Sequence, residues 1–173
     1  VSDWDRLTRT HFWPQSIAFL RWLSATLPPD AVLVNIGAYM ESSTISVLHD
    51  RPDMYAFSID TEACQVGLDN LAHFGVADRV VRVLGKSQDV GRHWRWPVDM
   101  LYIDGDHSYE ACRADVDVWL PWLKSGGIVA FHDYGTRHTP GVVRVVHETM
   151  GDLKYLGKDL NDPKGVLVAY AKR

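Results

Sequence analysis

At 173 residues, 46% hydrophobic and 23% charged, the chain can bury roughly 70% of its unfolded surface as one domain. A formal net charge of −4 and the lack of a basic cluster argue against a nucleic-acid partner, because phosphate binding draws on a basic excess. The apolar runs are too short to span a bilayer, no signal-peptide pattern opens the chain, and Cys64 and Cys112 fall in predicted helices. The expectation is therefore a reduced, cytoplasmic protein with no membrane partner.

Residues 16–27 place Phe19, Leu20, Trp22, Leu23 and Leu27 on one side of a helix that Pro28 and Pro29 end. With Trp4, Phe12 and Trp13 before it, this segment (1–29) reads as a helical cap. It either covers a sheet or closes over a substrate pocket. Residues 31–36 form the first apolar strand, and Gly37-Ala38-Tyr39 turns into a helix running from Ser42 to about His49, with hydroxyls available for capping. A strand, a tight glycine turn and a helix start suit a carboxylate or phosphate.

Residues 54–59 form a second strand ending in Asp60. Its spacing from Gly37 is near the ~20 residues at which an acid meets a ribose in nucleotide folds, and it equally suits an N-cap for a helix over 61–74. Residues 79–84 form a third strand, followed by the polar loop Gly85-Lys86-Ser87-Gln88-Asp89, suited either to hydrogen-bond a base or to be a solvated turn. Trp94 and Trp96 are assigned to packing.

The chain is organised around residues 98–135. Val98–Ile103 is an apolar strand that ends in Asp104-Gly105-Asp106-His107, and residues 127–131 are a second that ends in His132-Asp133. Between them, Cys112, Val116, Trp119, Leu120 and Leu123 recur at helical spacing over 108–123, with Asp115 and Asp117 on a solvated face. Strand, helix and strand imply a right-handed parallel crossover that brings both acidic clusters to the carboxyl rim, where open α/β sheets bind ligands. A further helix over 142–150 and strands over 153–157 and 166–170, separated by the turn-rich residues 161–165, complete the chain. Five β/α units and an antiparallel terminal hairpin make an α/β, doubly wound, seven-stranded, mostly parallel sheet.

From residue 31 to 172 these motifs resemble the class I S-adenosylmethionine-dependent methyltransferases, and more narrowly the metal-dependent small-molecule O-methyltransferases. IDGDHSYE followed by GGIVAFHDYG is similar to the macrocin-type antibiotic-sugar enzymes, and NIGAYMESS and GKSQD are similar to the catechol O-methyltransferases. The resemblance implies a single Rossmann-like methyltransferase domain over 1–173, with 30–173 as its cofactor-binding core. It implies S-adenosylmethionine as cofactor, with Gly37, Ala38 and Tyr39 against the methionine end and Ser43 near its carboxylate. Asp60 would hold the ribose hydroxyls, and Ser87 and Gln88 would flank the adenine. Asp104, near the sulfonium, would bind Mg²⁺ or Mn²⁺ with His132 and Asp133. Asp106 matches the base position of the sugar-modifying members, and His107 falls where the catechol enzymes carry their basic residue. The acceptor would be a small molecule such as a sugar, phenol or natural product, and a homo-oligomer is compatible.

On the residues alone, His107 is either a base or a helix-start cap, and His132 either a ligand or an orienter of Asp104. Three positions depart from the family pattern. Asn35 stands where an acid is usual, Glu41 replaces the second loop glycine and adds a carboxylate where backbone normally approaches the ligand, and His-Asp replaces a carboxyl or carboxyl-amide pair. The first two motivate a rival reading, a cofactor-free binding protein on the same fold. A second rival, a nicotinamide-dependent oxidoreductase, is opposed by the sequence, which has no G-x-G-x-x-G after the first strand.

Overall fold

The computed structural model describes residues 3–8, 14–159 and 167–173. After helices α1 (Asp3–Thr8) and α2 (Pro14–Ala25), strands and helices alternate: β1 (Val32–Ile36), α3 (Ser42–Leu48), β2 (Tyr55–Asp60), α4 (Gln65–His73), β3 (Val80–Leu84), α5 (Ser87–His93), β4 (Val98–Ile103), α6 (Tyr109–Trp119), β5 (Leu123–Phe131) and α7 (Pro140–Thr149). Strands β6 (Lys154–Lys158) and β7 (Val168–Ala171) close the chain. The sheet runs β3-β2-β1-β4-β5-β7-β6, with β1 to β5 parallel and β7 antiparallel to both β5 and β6. The doubly wound sheet and the antiparallel terminal pair are as expected, and β7 inserts between β5 and β6.

Alternation along the strands divides the core into two layers. Leu33, Met100, Tyr102, Ile128 and Ala130 face α1 to α4, where Leu7, Leu20, Leu23, Ile45 and Leu71 cover them. Val34, Ile36, Leu101, Ile103, Val129 and Phe131 face the other way, onto Val116 and Trp119 of α6 and Val142 and Val145 of α7. The helices α1 and α2 therefore cover a sheet face. Trp4 packs edge-on to His49 and tilted against Phe74, at centroid distances of 4.9 and 5.4 Å. Phe12, Trp13 and the predicted turn at 161–165 lie outside the described residues.

Several boundaries differ from expectation for local reasons. Helix α6 stops at Trp119, because Pro121 converts Leu120–Trp122 into a 3₁₀ turn, and β5 begins at Leu123, before the predicted 127. Helix α4 starts at Gln65, so Asp60 is no N-cap; Cys64 sits at that cap position, outside the helix in which it was expected. Helix α3 has no side-chain cap, because the Glu41 carboxylate at its cap position is taken by Thr44, Ser58 and Arg82, and Ser43 and Thr44, inside the helix, accept from Asn35. The loop expected through Asp89 becomes helical from Ser87. Trp94 is buried as expected, but Trp96 is exposed.

Register aligns the site. Ile36 pairs with Ile59 on one side and Ile103 on the other, and Ile103 pairs with Phe131. Gly37, Asp60, Asp104 and His132, each the next residue or the strand's last, therefore emerge at one level on the carboxyl rim. The crevice between β1 and β4 is the topological switch point.

Candidate active site

At that switch point a cleft of about 490 Å³ runs from Gly37 and Tyr39 past Asp60 to Gly85, Lys86, Ser87 and Gln88, floored by Asp104, Gly105 and Asp115. A smaller hollow of about 60 Å³ adjoins it, lined by Gly37, Ala38, Tyr39, Ser43 and Asp104. Gly37 is what lets the two strand ends meet. Its φ is +79°, and a Cβ there would collide with the Asp104 carbonyl. The structure thus brings Gly37, Ala38, Tyr39, Ser43, Asp60, Ser87, Gln88 and Asp104 to one connected opening.

Each of these side chains has a definite setting. Asp60 Oδ2 accepts from the Tyr39 N–H at 2.8 Å and Oδ1 from the Glu62 N–H at 2.9 Å, which fixes its carboxylate on the cleft wall. Ser43 Oγ accepts from Asn35 Nδ2 at 2.9 Å and is buried beneath the turn. Ser87 and Gln88 turn their donors toward Asp115, with Gln88 Nε2 2.7 Å from Oδ1.

Beyond Asp104 the rim carries two carboxylates and two imidazoles. His107 Nε2 lies 2.9 Å from Asp133 Oδ2 and 3.4 Å from Asp104 Oδ1. His132 Nδ1 lies behind, 3.3 Å from Asp104 and 3.4 Å from Asp133. Asp104 and Asp133 push the His107 imidazole up to about 10. Burial alone would lower the His132 pKa, but the same carboxylates outweigh it and hold it high. Burial likewise raises the Asp104 and Asp133 carboxyls, and the imidazoles outweigh that and hold both low.

Asp104, His107 and Asp133 each offer a ligand atom within 4.8 Å of the others. Two carboxylates and an imidazole suit a small divalent cation, and the imidazole favours Mn²⁺ over Mg²⁺. The structure thus puts His107 closer to Asp133 and both imidazoles at nearly the same distance from Asp104, with His132 the more buried of the two. Asp106 stands at the cleft mouth, exposed, its Oδ1 accepting from the Ser108 N–H at 2.8 Å. That bond holds its carboxyl low.

Two findings correct the sequence reading. Glu41 does not enter the ligand space. It is fully buried away from the cleft, accepting from Ser58 Oγ at 2.8 Å and Thr44 Oγ1 at 2.6 Å, and paired with Arg82 Nε at 2.9 Å. Asp115 is not solvated. It is buried on the inner face of α6 and lines the cleft. Its position gave a usable signal, because it lies three residues after Cys112 and four before Trp119, on the apolar stripe itself.

An open, doubly wound sheet with a cleft of this size at its switch point is the arrangement in which α/β proteins bind small ligands. The model for the methyltransferase domain matches residues 34–134, and the chain belongs to that family. Among curated proteins, an uncharacterized protein of Acanthamoeba polyphaga mimivirus is 33% identical over 58 residues, 33% of this chain and 26% of that protein. One of Sinorhizobium fredii is 42% identical over 40 residues, 23% of this chain. The matches thus span 26% and 4% of those relatives.

Among solved structures, an O-methyltransferase from Bacillus cereus in complex with SAH superposes with a TM-score of 0.77, at 15% identity, covering 99% of this chain and 91% of that one. Cofactor-bound Rv0187 from MTB gives 0.77 at 20% identity, with 94% and 82% covered. CalS11, a TDP-rhamnose 3'-O-methyltransferase of calicheamicin biosynthesis, gives 0.63 at 18% identity, with 88% and 76% covered. At these identities the shared property is the fold.

Proposed function

We propose that the protein transfers a methyl group from S-adenosylmethionine to a hydroxyl of a small molecule, aided by a divalent cation. The observation that carries this reading is the junction of the nucleotide-sized cleft with the Asp104, His107 and Asp133 cluster on one rim. The backbone of Gly37, Ala38 and Tyr39, with Ser43, takes the methionine end. Asp60 accepts from the ribose hydroxyls, and Ser87 and Gln88 flank the base. Glu41, turned away from the opening, leaves the turn free for this role and weakens the rival reading of a cofactor-free binding protein.

Methyl transfer is an in-line displacement, so the protein's main task is to position the acceptor oxygen. Asp104, His107 and Asp133 would hold the cation, whose charge would lower the pKa of a bound hydroxyl. Asp106 is then the carboxylate at the cleft mouth that accepts the proton. Its own low pKa lets it do so only from a hydroxyl already acidified. CalS11, a sugar O-methyltransferase of the same fold, supports screening sugar hydroxyls first, before phenols and other natural-product hydroxyls.

A metal-free variant of this reading has its own support. A protonated His107 lies against both carboxylates and would hold the acceptor oxygen as a hydrogen-bond donor, leaving the proton to Asp106. Calorimetry with S-adenosylhomocysteine tests the cofactor. Binding is expected, and no heat at millimolar ligand would overturn the assignment.

A further inference from the structure

The cleft's base end is built by a contact between two helices that the reaction itself does not call on. Asp115, 1% exposed, accepts at Oδ1 from both Ser87 Oγ and Gln88 Nε2. One turn further along α6, Trp119 Nε1 donates to the Ser87 carbonyl at 3.1 Å. Gly91 lets α5 lie directly on this turn, because a Cβ there would strike Val118 and Trp119. The start of α5 is thus clamped by α6, and the clamp ends in a carboxylate.

A carboxylate only accepts, whereas a glutamine amide has a donor end and an acceptor end. A carboxylate beside Gln88 therefore decides the orientation of its amide. Nε2 must face Asp115, which leaves Oε1 as the acceptor available to the cleft. An acceptor at the base end is satisfied by an exocyclic amino group. Against a 6-oxo base it would set oxygen against oxygen. We propose that Asp115 is a specificity-determining positioning residue which, by holding the Gln88 nitrogen, selects a 6-aminopurine cofactor over its 6-oxo analogue. The proposal rests on the reading that the cleft binds S-adenosylmethionine and its product.

The test is to titrate S-adenosylhomocysteine and S-inosylhomocysteine, its deaminated counterpart, into wild-type protein, Asp115→Asn and Gln88→Met at pH 8. The wild type should prefer the adenosyl ligand by about tenfold or more, the range for an acceptor left unmatched. Asp115→Asn, whose own amide can donate to Gln88 and let it turn, should lose most of that ratio. Gln88→Met should lose it too, and Asp115→Asn added to Gln88→Met should change the ratio no further, because the first residue acts through the second. An unchanged ratio in Asp115→Asn, or an equal weakening of both ligands, would overturn the proposal. If Asp115→Asn does not fold, Gln88→Met decides alone, and a wild-type ratio there overturns it. Binding of neither ligand by the wild type would instead overturn the cofactor assignment and the proposal with it.

Discussion

At the scale of single residues, burial decides what a carboxylate costs. Asp115 is pushed up from 3.8 to about 6 by desolvation, against the pull of its bonds to Ser87 and Gln88. A carboxyl raised in the folded state binds its proton more tightly there than when unfolded. Its contribution is therefore most favourable below pH ~4 and is lost as pH rises through about 6, leaving a cost of about 3 kcal/mol at neutral pH. Asp115→Asn keeps an acceptor of the same shape, so it should raise the melting temperature at pH 7.5 and leave it nearly unchanged at pH 4. Scanning calorimetry at both values would show it, and a lower melting temperature at pH 7.5 would contradict the account. Asp60 is the opposite case, a partly exposed acid whose two backbone bonds, to the Tyr39 and Glu62 N–H groups, lie in exposed turns. Asp60→Ala should weaken S-adenosylhomocysteine binding by about 1.5–3 kcal/mol with little change in stability. A large loss of stability at unchanged affinity would make Asp60 a turn residue only. Residues on the rim were legible because strand ends announce themselves. Glu41 was misread because a sequence gives a residue's spacing, while the direction of its side chain depends on partners far along the chain. Asp115 was misread although its spacing put it on the apolar stripe, because the partners that let a carboxylate be buried there, Ser87 and Gln88, lie on another helix.

At the scale of elements, the strands were legible as runs of β-branched and apolar residues, and β4, buried along its whole length, was read to its exact ends. The boundary between α6 and β5 was not, because Leu120 and Leu123 continue the apolar stripe past Pro121, where the backbone has already left the helix. The turn between β1 and α3 holds its shape from beneath. Glu41 and Arg82 tie it to β2 and β3 through Ser58. Burial raises the Glu41 carboxyl against the pull of Thr44, Ser58 and Arg82, so the acid depends on its partners. Arg82→Met, which strands the carboxylate, should cost about 3 kcal/mol, and Glu41→Gln less. Urea denaturation compares them directly, and a neutral Arg82→Met would show that the pair does not hold the turn.

At the scale of the whole molecule, a right-handed crossover and an aligned register bring Asp104 and Asp133 together, though 29 positions separate them in the sequence. That convergence was legible from strand, helix and strand alone. The place of His107 between the carboxylates was not, since it depends on how the chain turns after Gly105. Two carboxylates at such range would repel unless a cation lies between them. The structure offers His107 as a built-in cation, and the same ligand atoms suit a divalent ion. Metal binding must then displace the His107 proton, held by a pKa of about 10, so affinity should rise with pH across the neutral range. Mn²⁺ titrated by calorimetry in buffers of different ionisation heat should reveal proton release on binding. His107→Ala removes both the competing proton and one ligand, so it should leave weaker binding with little pH dependence, and Asp133→Asn should abolish binding. Methyl transfer should cease in EDTA and return with Mg²⁺ or Mn²⁺. Full activity in EDTA, with no proton release on adding Mn²⁺, would assign the cation's part to His107 itself.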